Sequence, residues 1–152
     1  HWTFGNRDHL EFPNGGDPIV VADAQIATTE GCASISASNG TLLAYTDGSN
    51  LWDSVLPTPI ATGLGGDPSS THSAIIVPPV QGFQDYHIFA VGRHGGANDH
   101  IMHSTFQPSG SSISQTLAPS QMTSTISPSF DNTERLAATS HANCKDFCIK
   151  CF

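Results

Sequence analysis

The sequence predicts an all-β fold of short antiparallel strands, propeller-like or sandwich-like, and three observations carry that expectation. No window holds the i, i+3, i+4, i+7 apolar pattern of an amphipathic helix. Short apolar runs recur instead, each stopped by Gly, Pro, Asn or Asp. Charged residues make up 12% of the chain, against a usual share of about 25%. Ser, Thr, Gly, Asn and Pro fill the difference, which is the composition of turns and strands.

Taken in order, Cys32 to Ser36 alternates small and apolar residues and predicts a strand. Thr41 to Thr46 follows after Asn39-Gly40, a strong hairpin signal in which both turn residues are expected at φ > 0. Asp47-Gly48 predicts the next turn, before Leu51-Trp52. Ala74 to Val77 reads as a buried strand halted by Pro78-Pro79. Tyr86 to Val91 and His100 to Phe106 read as a pair joined by a hairpin loop over 92–98. Leu136 to Thr139 and Phe147 to Phe152 read as the last strands. Residues 107–130, rich in Ser, Thr, Pro and Gln, read as a long loop or a weakly paired edge with hydroxyls suited to O-linked sugars. The 152 residues suit a single β-rich domain spanning 1–152.

Thirteen Asp and Glu against five Lys and Arg give a formal charge of −8. That balance disfavours nucleic acid and anionic membranes, both of which need a basic face. No apolar run approaches the roughly 18 residues of a membrane span. The expected location is secreted or cell-surface, and a start at His1 agrees with a leader already removed.

Of the four cysteines, Cys32 stands apart while Cys144, Cys148 and Cys151 crowd together. In an exported chain all four are disulfide candidates, with three pairings open. Free thiols are a second reading. The third is zinc, because His141, Cys144, Cys148 and Cys151 have the donor types of a tetrahedral site.

The segments Trp2-Thr3-Phe4-Gly5-Asn6 and Leu10-Glu11-Phe12 open a longer pattern. It continues through Thr29-Glu30-Gly31-Cys32-Ala33-Ser34-Ile35-Ser36, Asn39 to Gly48, Leu51-Trp52, Gly66 to Pro78 and Tyr86-His87-Ile88-Phe89. Together these resemble the N-terminal, propeller-like region of large secreted Bacteroidetes surface proteins that often end in a gliding-motility-associated C-terminal domain. The resemblance runs in matching order over about the first 90 residues and returns weakly at His141 to Phe147. It implies a propeller-type fold and a strand beginning near Trp2. Family members run to several hundred residues, so it also implies either a piece of a larger protein or a short relative whose strands are completed by a neighbouring protomer.

Motifs for catalysis are scarce. There is no G-x-S-x-G elbow, no H-E-x-x-H and no Walker-type loop, so no enzyme, no catalytic residue and no cofactor is predicted. Glu30 is the best single acid for a glycosidase pair, although a turn role explains it better. Asp47 through Asp53 is rich in oxygen ligands but lacks the spacing of a 12-residue calcium loop. His94, His100 and His103 read as a surface hairpin, since positions 100 and 103 of a strand face opposite sides. His1 raises copper binding, as in lytic polysaccharide oxidases, which requires a second histidine to converge on it. Asn39-Gly40-Thr41 fits an N-glycosylation sequon and Asp53-Ser54-Val55 a short O-glycosylation pattern, making Asn39 and Ser54 candidate acceptors.

The function expected is an extracellular structural or adhesive module, with self-association into a surface filament or a larger surface assembly. The alternatives are a carbohydrate-binding module with Trp2, Tyr45, Trp52 and Tyr86 as stacking platforms, or a fragment of a larger surface protein. A glycan-acting enzyme stands behind both. Exposure of Trp2 and Trp52 separates the carbohydrate reading from the structural one.

Overall fold

The computed structural model describes residues 1–13, 16–93, 100–109, 112–122, 134–140 and 147–151, with backbone alone for Lys150 and Cys151. Every regular element among them is a strand, and all pairings are antiparallel. No described helix is long and apolar enough to cross a membrane.

Four sheets succeed one another along the chain, and none closes into a barrel. The first comprises β1 (Trp2–Phe4), β2 (Asp8–Glu11) and β3 (Ile19–Val21). A four-stranded meander follows: β4 (Ala33–Ser36), β5 (Leu42–Thr46), β6 (Asn50–Asp53) and β7 (Ala61–Thr62). A second meander has the same order: β8 (Ala74–Val77), β9 (Tyr86–Val91), β10 (Ile101–Ser109) and β11 (Ser112–Gln121). The last sheet pairs β12 (Leu136–Ser140) with β13 (Phe147–Cys151). The leading strands lie side by side: β1 neighbours β4, β4 neighbours β8, and β8 neighbours β12.

Three apolar cores lie along the run of sheets. Ala24, Ile26, Leu42, Tyr45 and Trp52 form the first, with Tyr45 stacked on Trp52 at 5.7 Å. Ala44, Leu51, Ala61, Leu64, Ala74, Ile88, Ala90, Phe106 and Ile113 fill the second, between the meanders. Val77, Phe89, Val91 and Leu136 form the third, joined by Phe147 and Ile149. The period of two explains the division: in β9, Ile88 and Ala90 serve the second core while Phe89 and Val91 serve the third. A strand buried on both faces is why YHIFAV reads as an almost unbroken apolar run.

The meanders are locked by crowded backbone. Gly31 N–H donates to Ser70 carbonyl at 3.0 Å, Ser73 Oγ donates to Gly31 carbonyl at 2.7 Å, and Gly66 N–H donates to Gly48 carbonyl at 2.8 Å. A Cβ at Gly31 would sit 2.2 Å from Ser73 N, so only glycine fits this crossing. The Gly66-to-Ser73 segment, prominent in the sequence pattern, is thus the knot that joins one meander to the next.

One turn expectation needs correction. Gly40 has φ of 90°, but Asn39 does not join it at positive φ. The β4–β5 hairpin closes through Gly40 N–H to Ala37 carbonyl and Ala37 N–H to Thr41 carbonyl, a wider turn with a register shift after Ile35. Residues 107–109 and 112–121 lie in β10 and β11, and β11 forms the edge of its sheet. Its ladder carries it, since Ile113 is its only buried side chain.

Candidate functional site

Antiparallel pairing of β1 with β2 sets Thr3 opposite His9 and Trp2 opposite Leu10. Directly opposed residues share a face, and so do residues two apart. The pleat therefore gathers His1, Thr3, His9 and Glu11 on the inner face. It turns Trp2, Leu10 and Val20 to the outer one.

On the inner face His9 is buried between two carboxylates. Its Nδ1 lies 2.7 Å from Asp23 Oδ1 and its Nε2 lies 3.3 Å from Glu11 Oε1. His1 approaches the same carboxylate, Nδ1 to Oε1 at 3.9 Å, with its ring 5.5 Å from that of His9. The ring atoms of His1 and His9 and the Glu11 carboxylate lie within 4.8 Å of one another. His1 Nδ1 is shielded from solvent and has no hydrogen-bond partner.

These groups stand at one end of a cleft of about 430 Å³ whose far wall includes Tyr45, Asp53 and Leu56. Three carboxylates and two imidazoles line it, with no lysine or arginine. Burial pushes the Tyr45 phenol up, and the Asp23 and Asp53 carboxylates add to that against a hydrogen bond from Gln25 N–H. Burial would also raise Asp53, but the Ser112 hydroxyl and the N–H groups of Leu56, Val55 and Ile113 together hold its carboxyl below the usual range.

A sharp electrostatic constraint follows. With Asp23 accepting the Nδ1 proton, a neutral His9 ring presents a lone pair to Glu11, which is itself an acceptor. His9 Nε2 and Glu11 Oε1, 3.3 Å apart, are reconciled by a proton on either of them or by a bound cation.

The other sequence candidates disperse. Of the four proposed stacking aromatics, Tyr45 and Trp52 are buried against each other, and Tyr86 is half-buried on Phe106 at 5.1 Å. Trp2 alone is open, at 63% exposure, and lies on the face away from the cleft. Among the described residues, Cys32 and Cys148 stand as free cysteines. Cys32 Sγ–H donates to Thr3 carbonyl at 3.2 Å, and burial, aided by Asp47, pushes its pKa up. His141 and Cys144 lie outside the described residues, as do His94 and Asp99, and the side chain of Cys151 is not described. Asn39 and Ser54 are exposed, and Asn39 Oδ1 accepts the Thr41 N–H at 3.0 Å.

The Asp47 carboxylate is occupied by Ser49 N–H, Asn50 N–H and the Asn50 amide, so it caps its turn. Glu30 is exposed in a turn. His103 packs into the second meander with its Nε2 3.0 Å from His87 Nδ1 and its ring against Phe89. Burial, with His87 adding to it, holds the His103 pKa down.

His9, Glu11 and Asp23 are site residues that the sequence reading passes over. The available signal was the His-x-Glu spacing, which shares a face only once β2 is known to be a strand. The ring of a second histidine, His9, lies 5.5 Å from that of His1, while the His1 ammonium donates to Ser36 Oγ at 3.4 Å. Family models, curated proteins and solved structures were all compared with the chain, and none matches.

Proposed function

We propose that the protein is an extracellular structural and adhesive module built from propeller-type blades, its open faces covered by further blades or by a second copy. The observation that carries this reading is the run of leading strands. β1, β4, β8 and β12 lie in sequence order, each starting an antiparallel sheet, with one apolar core between the two meanders and another between the second meander and the last sheet. The first sheet carries unmatched apolar surface on its outer side, including Trp2 and Val20, of the kind that blade stacking covers. The acidic, hydroxyl-rich composition and the resemblance to Bacteroidetes surface proteins support a secreted, cell-surface setting.

The test is light scattering coupled to size exclusion, with negative-stain microscopy of the same fractions. Concentration-dependent association or ordered filaments, abolished by Val20→Lys, is expected. A monomer at every concentration with unchanged behaviour in Val20→Lys would sink the reading. A second reading, glycan binding, is favoured by one feature: Trp2 is open with Phe12 edge-on at 5.0 Å. Quenching or shift of Trp2 fluorescence by oligosaccharides, absent in Trp2→Ala, distinguishes it.

A further inference from the structure

The inner face of the first sheet holds more than a buried histidine. We propose that His1, His9 and Glu11 form a binding site for a divalent transition-metal ion of the zinc class, with Asp23 orienting His9. Two imidazole nitrogens and a carboxylate oxygen are the donor set such ions select, while calcium and magnesium prefer oxygen cages.

Three independent features converge on it. The first is spacing. Ligands at about 2.0–2.1 Å from a tetrahedral zinc lie ~3.3 Å apart, and His9 Nε2 to Glu11 Oε1 is already 3.3 Å. His1 Nδ1, at 3.9 Å from the same oxygen, needs a small closing rotation. The second is the partner behind the ligand. Metal-bound histidines commonly donate their other ring N–H to a carboxylate, fixing the tautomer and strengthening the donor; Asp23 Oδ1 stands 2.7 Å from His9 Nδ1.

The third is the unpaired atom. His1 Nδ1 is shielded from solvent and has no hydrogen-bond partner, although it faces Glu11 Oε1 at 3.9 Å. A cation satisfies all three atoms at once. The surrounding charge agrees: the cleft holds three carboxylates and no lysine or arginine, and the one cationic group carried by a ligand residue, the His1 ammonium, is taken up by Ser36 Oγ at 3.4 Å. Three protein ligands leave a coordination position toward the cleft for water or an incoming group.

The experiment is a titration of the full chain, stripped with a chelator, by zinc chloride at neutral pH. Calorimetry supplies the stoichiometry and nitrogen-15 spectra of the histidine rings locate the ion. One equivalent is expected, shifting the ring nitrogens of His1 and His9. Asp23→Asn should weaken binding by about 10–100-fold, and Glu11→Gln by at least as much. Both side chains are well exposed, 67% and 43%, so both variants are expected to keep the native circular dichroism.

Absence of saturable binding overturns the proposal. So does a His9 ring that reports an imidazolium unaffected by zinc. Binding that is unchanged in Glu11→Gln and shifts other rings places the ion elsewhere, the cysteine-rich region included, and overturns it equally. Should a variant lose its fold, the ring-nitrogen shifts of the unaltered chain decide alone.

Discussion

The contact between the two meanders and the outer face of the first sheet are both apolar surfaces of strands, yet they are built on opposite terms. Between the meanders, Leu51, Ile88 and Phe106 are fully buried, and the rim is sealed by hydrogen bonds that cross from one sheet to the other. On the outer face, Trp2 and Val20 stand in solvent with only Phe12 and their strand neighbours for company. The difference teaches where to look for stability and where to look for association. A sealed interface resists substitution because its apolar side chains are fully buried and its backbone groups bond across the junction, the buried Ser70 hydroxyl being an unpaired exception. An open one tolerates substitution until something binds there.

The most damaging way to break the sealed side is Asp53→Ala. Asp53 accepts from Val55 N–H at 2.9 Å, Leu56 N–H at 2.7 Å and the Ser112 hydroxyl, tying the first meander to the edge strand of the second. A hydrogen bond to a charged group contributes about 1.5–3 kcal/mol, and with these three only part-buried a loss of roughly 3–5 kcal/mol is expected in urea unfolding. Asp53→Asn, which retains an acceptor, should cost less.

Next comes Gly31→Ala, whose methyl has no room beside Ser73. Overpacking of this kind costs about 1–3 kcal/mol, seen as a lower urea midpoint. Gly63→Ala, whose new atom meets nothing within 4 Å, tests conformational strain apart from crowding because Gly63 also has positive φ, at 71°.

Smaller still is a pH effect inside the second meander. The folded His103 pKa lies below the ordinary 6.5, so the unfolded chain binds its proton more readily than the fold does. That contribution to stability is therefore complete above the ordinary value. It is lost as the pH falls from there through the lowered one. His103→Phe should narrow the gap between thermal midpoints measured near pH 7.5 and pH 5.

The smallest effect on stability belongs to the open face. Val20→Lys should change unfolding by no more than about 0.5 kcal/mol while removing self-association. If it destabilised the isolated chain by several-fold more, the two surfaces would not differ as argued.

How much of this could be read from residues alone depends on whether burial leaves a pattern. Ala74–Val77 and Tyr86–Val91 were legible to the residue, because both are dense apolar runs and Pro78-Pro79 ends the first. β11 was legible only as one of two alternatives, a loop or a weakly paired edge, since an edge strand held by its backbone ladder needs no alternation of side chains. β2, with Leu10 as its single aliphatic residue, and the two-residue β7 gave no period to detect. The candidate site was half legible: His1 drew attention by its chemistry, but its partners become visible only when the pairing of Thr3 with His9 is known. Tyr45 and Trp52 show the converse, where aromatic identity pointed to a ligand and stacking in the core explains them.

The knot at Gly31, Gly48 and Gly66 sets an order for assembly. Gly31 finds its hydrogen-bond partners at Ser70 and Ser73, and His72 N–H in turn reaches the carbonyl of Glu134 at 2.9 Å. The loops of each sheet are fastened by backbone that belongs to the next, some forty residues downstream for Gly31 and Ser73. A chain emerging from the ribosome cannot finish its first meander until the start of the second is available. Completion thus passes along the polypeptide as a zipper does, and the smallest unit able to hold itself closed is a junction between sheets.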